Sequence, residues 1–191
     1  MTNPVIEAIK SRRAVRAYED KVVPADVVQA ILEAATYAPT AINIQPWKFT
    51  ILTNKEEMKK ISDVAKPMLL QTLPDIVDAN MTRLRASLSS PQFNIFYGAP
   101  LLIFVAGAKS QFAAADCSMA AQNMMLAAYT LGVGSCWIGT AMLAANTPKV
   151  KTELGVPEGH VVYSALTFGY PKGGFPKAPE KRPPQILKRI D

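Results

Sequence analysis

The sequence predicts an α+β fold, on three observations. Residues 24–38 repeat Val27, Val28, Ile31, Leu32 and Ala35 at helical spacing, the mark of one buried helix face. Residues 47–53 alternate Trp47, Phe49 and Ile51 with Lys48 and Thr50, a strand pattern. Residues 101–106 form a continuous apolar run of strand length after Pro100, which suits a strand covered on both faces.

The remaining elements follow in chain order. Asn3 before Pro4 is a helix start, with a capping side chain followed by proline at the first helical position. Val5, Ile6 and Ile9 give that short helix an apolar face. Pro24 opens the second helix, which stops at Tyr37-Ala38 because Ala38 precedes Pro39 and is pushed out of helical geometry. By the same rule Gln45, before Pro46, is expected to be extended. Residues 55–65 read as a helix with Met58, Ile61 and Val64 on one side; Pro67, Pro74 and Pro91 then cut the segment, leaving 69–73 and 76–88 as separate helices. Arg83 and Arg85 read as solvated surface. Ser110 caps a long helix over about 111–131 with alanine and methionine on most sides. Its length is that of a membrane span, but Asp116, Gln122 and Asn123 would be costly in lipid, so it reads as a core or dimer-interface helix. Thr147-Pro148 starts a short helix closed by Gly155, and 161–168 is the last strand. The tail 169–191, rich in proline, lysine and arginine, is expected to run extended across a surface.

Composition bounds the function. With 191 residues, 49% hydrophobic and 19% charged, one globular domain spanning 1–191 is expected. A net charge of +6 favours an anionic partner, which nucleic acid, anionic lipid and a phosphorylated cofactor all satisfy. Cys117 and Cys136 lie in apolar contexts and read as buried free thiols, which fits a reducing, cytoplasmic setting. Glu7, Lys10, Arg12 and Arg13 interrupt any signal-type apolar core at the N-terminus. One histidine, His160, and two separated cysteines give no metal-ligand cluster, and nothing orders a nucleophile near His160 for hydrolase chemistry.

Three stretches carry candidate chemistry. Pro39-Thr40-Ala41-Ile42-Asn43-Ile44-Gln45-Pro46-Trp47-Lys48-Phe49 connects a helix to a strand and holds two carboxamides, Asn43 and Gln45. A carboxamide donates and accepts hydrogen bonds, which suits the edge of a heterocycle; on the residues alone, an Asx-type turn with Asn43 satisfying backbone is the commoner reason for such an asparagine. Arg12, Arg13 and Arg16 flank Val15, and three guanidinium groups so close together offer forks of donors for phosphate or form a solvated basic face. Gly132-Val133-Gly134-Ser135-Cys136-Trp137-Ile138-Gly139 has the glycines of a dinucleotide-binding turn but follows a helix and misplaces the third glycine, so it is not one.

Together these motifs resemble the nitroreductase family of FMN-dependent oxidoreductases. The Asn-x-Gln-Pro-Trp-x-Phe stretch, the Arg-Arg-x-x-Arg segment, the Asp-x-x-x-Ala-x-Gln-Asn helix at Asp116 to Asn123, the Cys-Trp-Ile-Gly segment and the Gly-Tyr-Pro turn at 169–171 occur in the family's order. The resemblance implies an entwined homodimer whose helices pack around a mixed, antiparallel-dominated sheet, with two FMN sites at the interface. It implies that Arg12, Arg13, Ala14 and Arg16 hold the phosphate and ribityl chain, with Ala14 standing where the family usually has serine. Pro39, Thr40, Ala41, Asn43 and Gln45 would belong to the cofactor site, Asn43 reaching the flavin of the partner subunit and Gln45 lying near the ring or supporting the turn. Cys136, Trp137, Ile138 and Gly139 would pass along the flavin ring through main chain, an amide near the Ile-Gly step facing N5. Lys181 and Arg182, on a C-terminal arm of about 169–191 that wraps the partner, would reach the phosphate.

The activity so implied takes hydride from NADH or NADPH onto FMN and then reduces a small-molecule electron acceptor, such as a nitroaromatic or a quinone, by two electrons. No side chain need act as general acid, since the flavin supplies the chemistry. Nucleic acid and membrane are not expected as partners. Two further classes stay open on the residues: a non-catalytic FMN carrier or sensor, and a basic nucleic-acid-binding protein, which lacks a recognisable motif here.

Overall fold

A computed structural model of the chain describes residues 3–74 and 78–190. Four strands form one sheet in the order β1-β2-β4-β3, where β1 is Trp47–Leu52, β2 Leu101–Ala108, β3 Gly134–Trp137 and β4 His160–Gly169. Every strand pair is antiparallel; the parallel contribution is a single bridge from Ala14 to Ser135 at the β3 edge.

The pleat of β2 divides the core. Leu102, Phe104 and Ala106 face one layer and Leu101, Ile103 and Val105 the other, as alternation requires. The first layer contains α3 (Lys55–Thr72), α6 (Met142–Ala145) and α7 (Pro148–Glu153), with Phe96 set edge-on against Phe104 at 6.4 Å between ring centroids. The second contains α2 (Ala25–Thr36) packed on α5 (Ala113–Thr130). The continuous apolar run at 101–106 is therefore a strand buried on both faces, as expected.

Helix starts match their sequence signals closely. Asn3 Oδ1 accepts the N–H groups of Val5 and Ile6 at the start of α1 (Pro4–Ser11), and Thr147 Oγ1 accepts that of Val150 in α7. Yet Val5, Ile6 and Ile9 are about half exposed in the single chain, and only Ala8 of α1 is buried. Ser110 Oγ accepts the N–H groups of Phe112 and Ala113, so it caps the turn leading into α5, which starts two residues later than expected.

Three expectations fail. Pro67 does not cut its segment: α3 runs unbroken to Thr72. Its proline φ is compatible with helix, and burial of Met58, Ile61 and Ala65, continued by Leu69 and Leu70 against the core, outweighs the lost hydrogen bond. Gln45 is not extended but lies at φ +50°, held in a tight turn by Thr40. Arg85 is not merely solvated; its guanidinium donates to the Leu73 and Pro74 carbonyls at 3.3 Å, beyond the end of α3. The helix expected over 76–88 is described as α4 (Ala79–Ser89), capped by Asp78 Oδ1; its first two expected residues lie outside the described chain.

Candidate active site

Residues 12–19 lie against the β3 edge. The Val15 N–H bonds the Ser135 carbonyl at 2.9 Å, and Gly134 makes room: a Cβ there would stand 2.6 Å from Val15 Cγ2. The start of the tail closes the other side. Tyr18 bridges Pro171, the Glu19 N–H bonds Tyr170 O, and the Lys172 N–H bonds Ala17 O. Phe175 then packs edge-on against Tyr129 of α5, 4.9 Å between centroids. These contacts bring both ends of the chain together.

They enclose a cavity of about 270 Å³ lined by Arg12, Arg13, Ala14, Arg16, Lys177 and Lys181 together with Pro176 and Pro179. Five cations thus share one cavity whose lining, among the described residues, includes no carboxylate, and none of the five is in an ion pair with them. Like charges drawn together without a counter-charge fit an anionic ligand between them. Arg13 differs from the others. Its Nη1 donates to the Lys10 and Arg12 carbonyls at 2.6 and 2.7 Å, while its buried Nε has no partner among the described residues. Arg182 does not line the cavity, although its neighbour Lys181 does.

Behind the arginines is a buried polar chain. Tyr18 Oη donates to the Val15 carbonyl at 2.7 Å and lies 2.8 Å from Thr167 Oγ1, which reaches the Cys136 carbonyl at 3.3 Å. Burial pushes the Tyr18 phenol well above its ordinary range, the hydrogen bond to Thr167 opposing it. Burial likewise pushes the Cys136 thiol up, while the charges of Arg16 and Arg12 pull it down. Cys136 and Ile138 point into the core, so at these two positions the segment can offer a ligand only main chain. The Ile138 N–H is already committed to the Ala165 carbonyl at 2.8 Å. Gly139 follows, with open space where a Cβ would be.

The connector between α2 and β1 stands apart from that cavity. Residues 41–43 form a 3-10 turn in which Ile42 and Asn43 have φ of +44° and +57°, joined by Gln45 at +50°. Three non-glycine residues in left-handed backbone within four positions store strain, which concentrates at functional sites. Gln45 Nε2 donates to Asn43 Oδ1 at 2.8 Å, and the Gln45 N–H to Thr40 Oγ1 at 3.2 Å. The Asn43 side chain therefore meets the Gln45 side chain, while the Asn43 N–H bonds the Thr40 carbonyl at 3.2 Å. Both carboxamides are exposed, and Ile42 is 92% exposed at the tip. Of the residues at 39–45, none lines the arginine cavity of the same chain.

Residues 9–170 match the Nitroreductase family. The chain belongs to that family. Over its full length it resembles a Bacteroides fragilis nitroreductase solved with bound FMN, at 35% identity and a TM-score of 0.84, both chains being covered completely. A protein of Archaeoglobus fulgidus with the provisional name NADH dehydrogenase/NAD(P)H nitroreductase is 32% identical over 87% of this chain and 85% of its own. The nitrobenzene nitroreductase of Ectopseudomonas oleovorans is 27% identical over 92% of this chain and 91% of its own.

Within this nitroreductase-family chain, sequence reasoning missed four residues near the site. Lys177 lines the cavity, although attention falls on the Lys181-Arg182 pair. Tyr97, at φ +57°, sets its ring 5.9 Å from the Arg16 guanidinium and edge-on to Phe93. Gly98 beside it signals a turn, but nothing marks Tyr97 itself. Asp116 is buried and accepts the Ala41 N–H; it was legible only as part of a core-helix motif. Lys66 is buried in α3 and donates to the carbonyls of Ser90 and Phe93 at 3.1 and 3.0 Å, holding the segment that leads to Tyr97. Among the described residues no group of three or more His, Cys, Asp or Glu could hold a metal ion, and no helix is long and apolar enough to cross a membrane.

Proposed function

We propose that the protein is an FMN-dependent NAD(P)H oxidoreductase that reduces nitroaromatic, quinone or related electrophilic small molecules in a ping-pong cycle. The cavity that gathers five uncompensated cations from the two ends of the chain carries this reading, because it fits a phosphate dianion. When bound, FMN would supply the redox chemistry, taking hydride from the nicotinamide donor and passing two electrons to the acceptor. The protein's part is to bind and orient. Arg12 and Arg16 offer guanidinium donors to the phosphate, Lys177 and Lys181 add charge, and Arg13 has its buried Nε to offer. Gly139 offers main chain beside open space, where a side chain would intrude. No acid–base pair is required of the side chains.

The same reading has the protein working as a homodimer. Asn43 and Gln45 are exposed and lie outside the cavity of their own chain, which suits residues serving a partner's cofactor. Apolar side chains open to solvent on α1 and on the tail, among them Val5 at 61% and Leu187 at 100% exposure, suit an interface. The chain would be one domain with an arm from about 169 to 191, and its two buried free thiols suit a reducing cytoplasm.

The test is spectroscopic. The purified protein, loaded with FMN, is expected to be yellow, to bleach with anaerobic NADH or NADPH, and to recolour on adding a quinone or nitroarene. A protein that binds FMN but does not bleach is a carrier or sensor, and one that binds none refutes the reading.

A further inference from the structure

The long helix α5 carries a motif that catalysis leaves unexplained: Asp116, Ala120 and Asn123, spaced i, i+4, i+7 and so on one face. That face meets α2 and the connector after it. Asn123 Nδ2 donates to the Ala34 carbonyl at 3.1 Å, in the last turn of α2. Asp116 Oδ1 accepts the Ala41 N–H at 3.3 Å, at the first residue of the strained turn. Between them Ala120 is fully buried and small enough for the helices to lie close. A carboxylate in the first turn of a helix is ordinarily explained by the helix dipole, and such a group would sit in solvent. Asp116 is only 3% exposed, so its carboxylate is placed inward.

We infer that Asp116 and Asn123 are positioning residues: they fix the two sides of the junction from which Asn43 and Gln45 project. The connector needs such fixing. Asparagine at 43 tolerates left-handed backbone, but Ile42 and Gln45 hold it on either side and would leave it readily, so an unanchored loop would relax to commoner conformations. Within the loop, the Thr40 and Gln45 contacts fold the turn on itself, but only the Asp116 bond ties the 3-10 turn to the body of the protein among the described hydrogen bonds. α5 thereby carries to the loop the rigidity of the sheet it packs on. The inference rests on the proposed role of the connector in binding the cofactor of the partner subunit. It adds that the geometry of one chain's loop, and so the occupancy of the other's site, is set from α5.

The experiment titrates apo-dimer with FMN and, separately, with riboflavin, for wild type, Asp116→Ala, Asp116→Asn and Asn123→Ala. Asp116→Ala is expected to weaken both flavins by the same factor, about tenfold, because the loop meets the ring end they share. Asp116→Asn keeps an acceptor oxygen and is expected to restore affinity to within about threefold of wild type. Asn123→Ala, which favours helix, is expected to weaken both flavins about threefold with the thermal midpoint of the apo-protein unchanged. Hydrogen exchange on wild type supplies a readout that needs no variant, the Ala41 amide being expected to exchange as slowly as amides of α5. Wild-type affinity in both alanine variants, or a fast-exchanging Ala41 amide, would overturn the inference. Absence of flavin binding in wild type would instead overturn the functional reading beneath it.

Discussion

Three arginines that look alike in sequence are not equivalent in place. Arg13 turns one end of its guanidinium back onto the Lys10 and Arg12 carbonyls, whereas Arg12 and Arg16 make no such bond among the described residues. Arg13 is thus partly a fastener of its own backbone, and Arg13→Ala is expected to lower thermal stability as well as flavin affinity. The thiols are similarly set by surroundings. Burial, with Asp116 beside it, pushes Cys117 up to about 12 from 9.0, and burial raises Cys136 against its arginine neighbours. Both should be inert to a disulfide reagent at pH 8 in the native protein, and two should react after denaturation. The sign for stability follows. Above pH 9.0 the unfolded chain begins to release thiol protons that the folded chain retains, so stability falls as pH rises from there towards the folded values. A lower urea midpoint at pH 10 than at pH 8 is expected; equal midpoints would contradict the assignment.

Elements are placed by a few close approaches. Gly134 lets residues 12–16 lie on β3, and a methyl group there would overlap Val15 at 2.6 and 2.8 Å. Gly134→Ala is expected to cost about 1–3 kcal/mol, the usual penalty for overpacking, read as a lower thermal midpoint. Lys66 does the corresponding task on the other layer. Its ammonium bonds the Ser90 and Phe93 carbonyls and Asp63 at 3.2 Å, tying α3 to the segment after α4. Lys66→Met would leave part-buried carbonyls without their ammonium partner and is expected to destabilise by about 1–3 kcal/mol; a midpoint like that of wild type would show the contacts to be unimportant. This region was also the least legible in sequence. Periodicity marked α2 and β2 correctly because one strong pattern filled each segment. In 55–97 it found the helix starting at 55 and the one ending near 88 but failed between them: proline at 67 could be read as a breaker or a tolerated helical residue, and only tertiary burial decides. The left-handed backbone of Gln45 and Tyr97 has no signature in residue type, since neither is the glycine or asparagine that such a φ ordinarily selects.

At the scale of the molecule, the two ends of the chain meet. The motifs near residue 12 and residue 181 were legible separately, but their convergence came from the resemblance and from nothing local. The cavity draws on Lys177 and Lys181, and leaves Arg182 out of its lining. The expected homodimer belongs to this scale too. At micromolar concentration sedimentation is expected to give a dimer, and a monomer that still holds FMN would remove the reason for the exposed Asn43 and Gln45. The convergence itself can be tested most directly by a flavin-fluorescence titration of the apo-protein with FMN and riboflavin, in wild type, Arg12→Ala and Lys181→Ala. A charge-assisted hydrogen bond contributes about 1.5–3 kcal/mol, so either variant is expected to bind FMN roughly ten- to a hundredfold more weakly, riboflavin as wild type does. Added salt should weaken FMN binding more in wild type than in the variants. Equal losses for both flavins would mean that these cations support the fold or another partner, and would contradict the phosphate site on which the account rests.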